Sequence, residues 1–291
     1  MEQISTIAVL GAGTMGRGIA HISALAGYVT RLYDTDAAAL EKAEAAIHRN
    51  LAKGVELRKV EAEAAAQAEA LLDFQTSLPE AVADAGLVVE AVPEDVALKI
   101  ETFRAVALHA PQDAIFASNT SALSITEMAA ASGRPARFAG MHFFNPVHLM
   151  KLIELVRGLE TSQETLDALA QVGERMGREI VLVKEAPGFV TSRINALIGN
   201  EAFRMLQEGV ASAEDIDKAL KLGLNHPMGP FEMVDLVGLD VRLSILEFLH
   251  RTLGEAYRPN QILVQHVRAG RLGRKVGRGV YTYDEQGKRL R

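Results

Sequence analysis

A doubly wound, mainly parallel α/β sheet followed by an all-helical C-terminal domain is what this sequence predicts. Three observations carry the expectation. The chain opens on an apolar strand that runs straight into a glycine-rich turn, Thr6-Ile-Ala-Val-Leu-Gly-Ala-Gly-Thr-Met-Gly16. Short β-branched runs then alternate with helical stretches as far as Glu185, the pattern of βαβ units. After Pro187-Gly188 no strand-like run appears until Gly279-Val-Tyr-Thr-Tyr283.

Taken in order, Ile7 to Leu10 is a buried strand, and Ile19 to Leu25 continues as an apolar-rich helix. Tyr28 to Tyr33 is the second strand, ending at Asp34. Ala37 to Leu51 is alanine-rich and helical, and Val60 to Leu71 is a helix whose Glu/Ala repeats read as a solvated face. Leu87 to Val92 is a strand by its β-branched run, with a helix from Asp95 to His109. Ile115 to Ser118, Phe138 to His142, Lys151 to Val156 and Glu179 to Val183 complete the strands. Pro187 and Gly188 then break the pattern, which puts one domain at 1–186 and a helical one at 187–291. Apolar spacing makes Val190 to Leu206, Ile216 to Leu222, Phe231 to Leu249 and Asn260 to Val267 helical.

Composition narrows the function classes. The 291 residues are 48% hydrophobic and 23% charged, ordinary for a soluble globular enzyme. A net charge of −6 gives no reason to expect nucleic acid as a partner. There is no cysteine, hence no disulfide, thiolate metal site or cysteine nucleophile, which suits a reducing cytoplasm. No apolar run reaches the roughly 18 residues of a membrane span, and Ile7 to Leu10 is a core strand rather than a signal peptide. His21, His48, His109, His148, His226, His250 and His266 show no metal-ligand spacing with acids, so no metal is expected. Gly273-Arg-Lys-Val-Gly-Arg-Gly279 is like a phosphate loop, but no helix follows it.

Gly11, Gly13 and Gly16 make the G-x-G-x-x-G pattern, with Thr14 and Met15 between the last two. The first glycine permits a tight turn, the second lets a pyrophosphate approach the backbone, and the third lets helix and strand pack closely. The helix N-terminus aims free amides and a positive dipole end at the phosphates. Asp34 follows Gly11 by 23 positions, the spacing of a carboxylate that binds an adenine ribose. A Rossmann-type dinucleotide site follows, and its cofactor is expected to be NAD. Asp34 repels a 2′-phosphate, and Thr35 and Asp36 supply no compensating cation.

His142 ends an apolar strand, where open α/β sheets place ligands. Glu154 lies within the apolar strand Leu152 to Val156, and a carboxylate buried there needs a partner. His142 and Lys151 both qualify. A Glu154–His142 pair would hold the imidazole in one tautomer and stabilise its charged form, as a general base requires; the alternative is a hydrogen-bonded core histidine. Lys53, Arg58 and Lys59, after the second helix, are either a patch for phosphates or a solvated helix end.

Over nearly its whole length the chain resembles the short-chain L-3-hydroxyacyl-CoA dehydrogenases, which include bacterial 3-hydroxybutyryl-CoA dehydrogenases. The glycine turn, Glu90-Ala-Val-Pro-Glu94, Ser118-Asn-Thr-Ser121, His142-Phe-Phe-Asn-Pro146, Pro187-Gly-Phe189 and Pro227-Met-Gly-Pro-Phe-Glu232 carry the resemblance. It implies reversible, NAD-dependent oxidation of a (3S)-3-hydroxyacyl-CoA to the 3-oxoacyl-CoA. His142 would be the catalytic base, Glu154 its orienting carboxylate, and Ser121 a contact to the substrate oxygen and to His142. Glu94 and Lys99 match positions beside the nicotinamide and its ribose, and Asp34 matches the adenine-ribose carboxylate. Asn119 and Asn145 lie in the matching cofactor and substrate loops. The basic patch would take CoA phosphates. The family also implies a homodimer through the C-terminal helices, where Met228, Phe231, Met233, Val234, Leu236 and Val237 crowd together.

One position departs from the family. Ser192 stands where its members usually carry asparagine after Pro-Gly-Phe, and a hydroxyl ends nearer the backbone than an amide does. That leaves a direct substrate contact by Ser192 in doubt. Two other readings of the chain are a β-hydroxyacid dehydrogenase acting on a free carboxylate with a lysine base, and a catalytically silent NAD-binding relative. The His142, Glu154 and Ser121 set weighs against both.

Overall fold

Eight strands join in one sheet in the order β3-β2-β1-β4-β5-β6-β7-β8, in a computed structural model that describes residues 4–290. The first unit runs β1 (Thr6–Leu10), α1 (Thr14–Leu25), β2 (Val29–Tyr33), α2 (Ala37–Glu56), α3 (Ala62–Ala70), β3 (Leu72–Gln75), α4 (Leu78–Val82), β4 (Leu87–Glu90) and α5 (Val96–Ala107). It continues through β5 (Ile115–Ser118), α6 (Ile125–Ala131), β6 (Phe138–Phe143), β7 (Leu152–Arg157), α7 (Gln163–Arg175) and β8 (Glu179–Lys184). The chain divides between Ala186 and Pro187 into two compact units.

β1, β4, β5 and β6 are buried along their whole length, because helices cover both faces of the sheet. That is why they read as apolar runs rather than as alternations. β3 to β6 are parallel throughout, and the order reverses between β1 and β4. A crevice forms at such a switch point, outside the carboxyl ends of the strands. On the core side Phe138 meets Phe103 edge-on at 4.6 Å between ring centres.

β7 runs against β6 and carries β8 parallel to itself, so the sheet is less uniformly parallel than the strand list suggests. The cause lies in the connection. Only 144–151 join β6 to β7, too few for the crossover of a dozen or more residues that a parallel neighbour needs. Other differences are local. β3, α4, α6 and α7 are absent from the sequence reading, and the strand expected over Leu87 to Val92 ends at Glu90. α2 extends to Glu56, so Lys53 stands in its last turn and not after it.

The second unit comprises α8 (Thr191–Gln207), α9 (Ala213–Gly223), α10 (Pro230–Val237), α11 (Leu239–Leu253) and α12 (Gln261–Arg268). Its core holds Phe203, Phe231, Val234, Leu246, Leu249 and Leu263. Gly238, at φ 107, splits the expected Phe231 to Leu249 helix in two. Gly279–Tyr283 is not a strand. The amides of Val280 and Tyr281 donate to the buried carboxylate of Asp235 at 2.8 and 2.9 Å, and the Tyr283 hydroxyl adds a third bond at 2.8 Å. The glycine loop before it therefore wraps an anion of its own chain, Asp235, which accounts for its likeness to a phosphate loop. Among the described residues no helix is long and apolar enough to cross a membrane, and no cluster of acids and histidines could hold a metal ion.

Candidate active site

The short return from β6 to β7 sets His142 directly opposite Glu154 in the antiparallel register. Their side chains share a face, and His142 Nδ1 lies 2.8 Å from Glu154 Oε2. Both are buried, with Glu154 1% exposed and His142 5%. A carboxylate only accepts, so Nδ1 carries the proton and Nε2 is left as the basic nitrogen. Nε2 meets the hydroxyl of Ser121 at 3.1 Å. Phe144 packs at a tilt against the imidazole, 4.5 Å between centres. Of the two partners open to Glu154 in sequence, His142 is the one it meets; Lys151 is exposed.

A second carboxylate organises the neighbouring strand ends. Glu90, at the end of β4 and fully buried, accepts from Lys99 Nζ at 2.6 Å, from the amide of Val92 at 2.8 Å and from Ser118 Oγ at 2.6 Å. Burial pushes its carboxyl above the usual range, and the Lys99 ammonium works against that. Lys99, 1% exposed, also stands 3.3 Å from Glu94. Glu94 in turn accepts from Thr120 Oγ1 at 2.5 Å and from the amide of Ser121 at 3.0 Å. Ser121 is thus fixed from both sides, by Glu94 on its backbone and by His142 on its hydroxyl. Asn119 holds the strand that carries His142, accepting from the amide of Phe143 at 2.9 Å. Sequence reading singled out Glu94 and Lys99 but gave Glu90 no role. The signal was available, since Leu-Val-Val-Glu90 repeats the pattern that marked Glu154, an acid on a strand buried on both faces.

The glycine turn fits a dinucleotide. Gly11 has φ +100°, which a side chain would strain. A Cβ on Gly16 would fall 1.7 Å from the carbonyl oxygen of Gly11. At Gly13 the situation is opposite: a Cβ would meet no atom within 4 Å, so nothing in the protein demands the glycine. It leaves open space at the head of α1, beside the amides of Thr14 and Met15, and a helix N-terminus of this kind suits a phosphate group. Asp34 Oδ2 accepts from the amide of Ala12 at 2.7 Å and Oδ1 from that of Asp36 at 3.0 Å. Its carboxylate therefore sits at the rim of the turn.

A cavity of about 400 Å³ lies in the same unit, between the second half of α1, the end of α2 and the end of α7, and the loop that follows His142 reaches it through His148 and Leu149. Lys53 and Lys59 line it, whereas Arg58, at φ 54, is not among its lining residues. Lys53 is paired with Glu56 at 2.8 Å. Asn145 is exposed in the loop after His142. Ser192 stands in the first turn of α8, in the helical unit.

Comparison with known proteins adds an independent finding. Residues 6–186 match the family model described as 3-hydroxyacyl-CoA dehydrogenase, NAD binding domain, and residues 188–283 that of its C-terminal domain. The chain is 43% identical to a 3-hydroxybutyryl-CoA dehydrogenase of Bradyrhizobium diazoefficiens, over 96% of each protein. It superposes on the (S)-3-hydroxybutyryl-CoA dehydrogenase of Ralstonia eutropha with a TM-score of 0.92 and 41% identity, covering 97% of this chain and all of that one. The FadB2 structure from M. tuberculosis gives a TM-score of 0.94 at 38% identity, with the same coverage.

Proposed function

The chain belongs to the 3-hydroxyacyl-CoA dehydrogenase family, and from that premise we propose that its reaction is the reversible oxidation of (3S)-3-hydroxybutyryl-CoA to acetoacetyl-CoA. It is an NAD-dependent enzyme. The observation that carries the residue roles is the line Glu154–His142–Ser121, three polar side chains in hydrogen-bond contact at the carboxyl end of a buried strand.

Nε2 of His142 accepts the proton of the substrate's 3-hydroxyl, and the imidazolium that forms lies against the Glu154 carboxylate. Charge separation is held inside one buried pair, so no solvent has to reorganise around it. Ser121, whose hydroxyl reaches the same Nε2, donates to the 3-oxygen as negative charge develops there. Bound NAD supplies the hydride acceptor. Gly13, Thr14 and Met15 would hold its pyrophosphate, Asp34 its adenine ribose, and Glu94 and Lys99 the nicotinamide end, with Asn119 and Asn145 bordering that end. In the reverse direction His142 returns the proton. Lys53 and Lys59 would meet CoA phosphates at the cavity; Arg58 belongs to the same basic segment. The direct test is loss of NADH absorbance on adding acetoacetyl-CoA. An intact, folded protein without that activity would refute the assignment.

NADH is expected to be preferred to NADPH by at least about 2 kcal/mol, or roughly thirtyfold in kcat/KM. Asp34 would face the 2′-phosphate across a very short distance, and its two oxygens already accept backbone amides that fix it in place. Equal kcat/KM with the two cofactors would contradict this.

The reading includes a cytoplasmic homodimer. A chain without cysteine suits the reducing cytoplasm. For the dimer, the apolar cluster needs correction. Phe231 and Val234 are 0% and 1% exposed within their own helical unit, so they are not available to a second copy. Leu236, Val237 and Val241, 37–42% exposed, keep an apolar strip on α10 and α11 open. Sedimentation at micromolar concentration is expected to return twice the chain mass, and Val237→Asp with Val241→Asp to shift it to the monomer.

A further inference from the structure

The cavity between α1, the end of α2 and the end of α7 contains polar groups that the protein itself leaves unanswered. His21, on α1, is 3% exposed, and neither of its ring nitrogens has a hydrogen-bond partner. The buried Nε of Arg178, just past α7, has none either. His148, in the loop after β6, stacks on His21 with 5.8 Å between centres and 17° between planes. Lys53, Lys59 and Arg175 complete the charged and titratable groups that line the cavity, and among the described residues no carboxylate does. Arg175 is spent on the carbonyls of Ala26 and Gly27 and on the ring of Tyr28, and Lys53 on Glu56.

Leaving a buried donor unsatisfied costs about 1–3 kcal/mol, and here two side chains do so around one open volume. The guanidinium and the stacking of the two imidazoles also keep either ring from taking up a charge of its own. Burial, His148 and Arg178 hold His21 down to about 4, and burial and Arg178 lower His148 as well. An anion placed among the three relieves every one of these costs at once. It accepts from the orphaned nitrogens, and it supplies the counter-charge the site lacks.

We propose that His21, His148 and Arg178 form the seat of a phosphoryl group at the nucleotide end of the acyl-CoA substrate, and that filling the seat takes up a proton. This rests on the acyl-CoA reading above. The sign follows from linkage. The empty seat is neutral at its imidazoles, and the filled seat is protonated, so the substrate binds more tightly as pH falls. A phosphate monoester titrating near about 6 works in the opposite direction, because its dianion is the better ligand. A rise in affinity on acidification therefore reports the protein's groups and not the substrate's.

The test compares acetoacetyl-CoA with the acetoacetyl thioester of N-acetylcysteamine, which has the same reacting carbons and no phosphate. The ratio of their kcat/KM values cancels the chemistry at His142. In the wild-type enzyme that ratio is expected to fall by about tenfold between about pH 6 and about pH 8, as uptake of one proton allows. His21→Gln is expected to flatten the dependence, and Arg178→Met to lower the ratio by about tenfold at every pH. A ratio independent of pH in the wild-type enzyme overturns the proposal whether or not the variants fold. Inorganic phosphate distinguishes a free-anion site. Competition with acetoacetyl-CoA alone supports the seat described here, whereas phosphate that binds without raising its KM overturns it. Failure to turn over either thioester would instead refute the acyl-CoA reading itself.

Discussion

Replacing His142 with glutamine is expected to lower kcat by about 10²–10⁴-fold, the usual worth of a general acid–base group. The amide has a similar reach but cannot take the hydroxyl proton. NADH affinity, measured by fluorescence titration, is expected to change far less, because His142 stands at the end of β6 and the proposed pyrophosphate site lies at the head of α1. Glu154→Gln should lose about 10–100-fold, the value of a charge-assisted hydrogen bond at roughly 1.5–3 kcal/mol. The order of the two effects matters. In the proposed mechanism His142 touches the reacting oxygen, whereas Glu154 acts through the 2.8 Å bond to Nδ1, so its loss is expected to be the smaller. Unchanged turnover in His142→Gln would mean that another group is the base.

The second large effect belongs to the glycine turn. Gly16→Ala places a methyl group 1.7 Å from the carbonyl oxygen of Gly11, so the turn has to open. NADH binding is expected to weaken by more than about 100-fold, and stability to fall by about 1–3 kcal/mol, as for other overpacked sites. Gly13→Ala gives the contrast. Gly13 has φ −64° and free space around the missing Cβ, so the folded protein tolerates the change. Its thermal midpoint is expected to stay near that of the wild type while NADH affinity falls, since the methyl group would occupy the space proposed for the pyrophosphate. Equal losses of stability in both variants, read by thermal melts, would contradict this division of labour.

Much of the fold is legible in the chain because the strands at the sheet centre are buried on both faces. β1, β4 and β5 stand out as short apolar runs for that reason alone. β3 does not: Leu-Asp-Phe-Gln75 is a half-buried edge strand of four residues, with little to separate it from a loop. α7 has a pattern that could have been read, with Leu166, Leu169 and Val172 on one buried face. The reversal of β7 is encoded in a connection length and not in the residues of the strand, so a list of strands misses it. In the helical unit, apolar residues at close spacing cannot say which of them face inward. Phe231 and Val234 proved to be core, and Leu236 and Val237 surface.

The site divides in the same way. Local signals disclosed Gly11, Gly13, Gly16 and Asp34, because the turn is contiguous in sequence. The histidine and its carboxylate were reachable through the cost of burying Glu154. What sequence could not disclose was the set of bonds made across the strand ends. Glu90, Glu94 and Lys99 fall within ten residues of one another, but only the pairing of β4 with β5 brings Ser118 and Ser121 to them. His21 and His148 are 127 positions apart, and neither has a neighbour in sequence that marks it.

Asp34 has a consequence for the redesign of cofactor choice. The carboxylate that would exclude NADPH is also an acceptor for the amide of Ala12, so it holds the glycine turn against the end of β2. Exchanging it for a neutral or basic residue removes the repulsion and, in the same stroke, releases the turn from its anchor. A lineage moving toward NADPH therefore meets an intermediate that binds neither cofactor well. The way across is to install a substitute acceptor for Ala12 first, and only then to alter position 34.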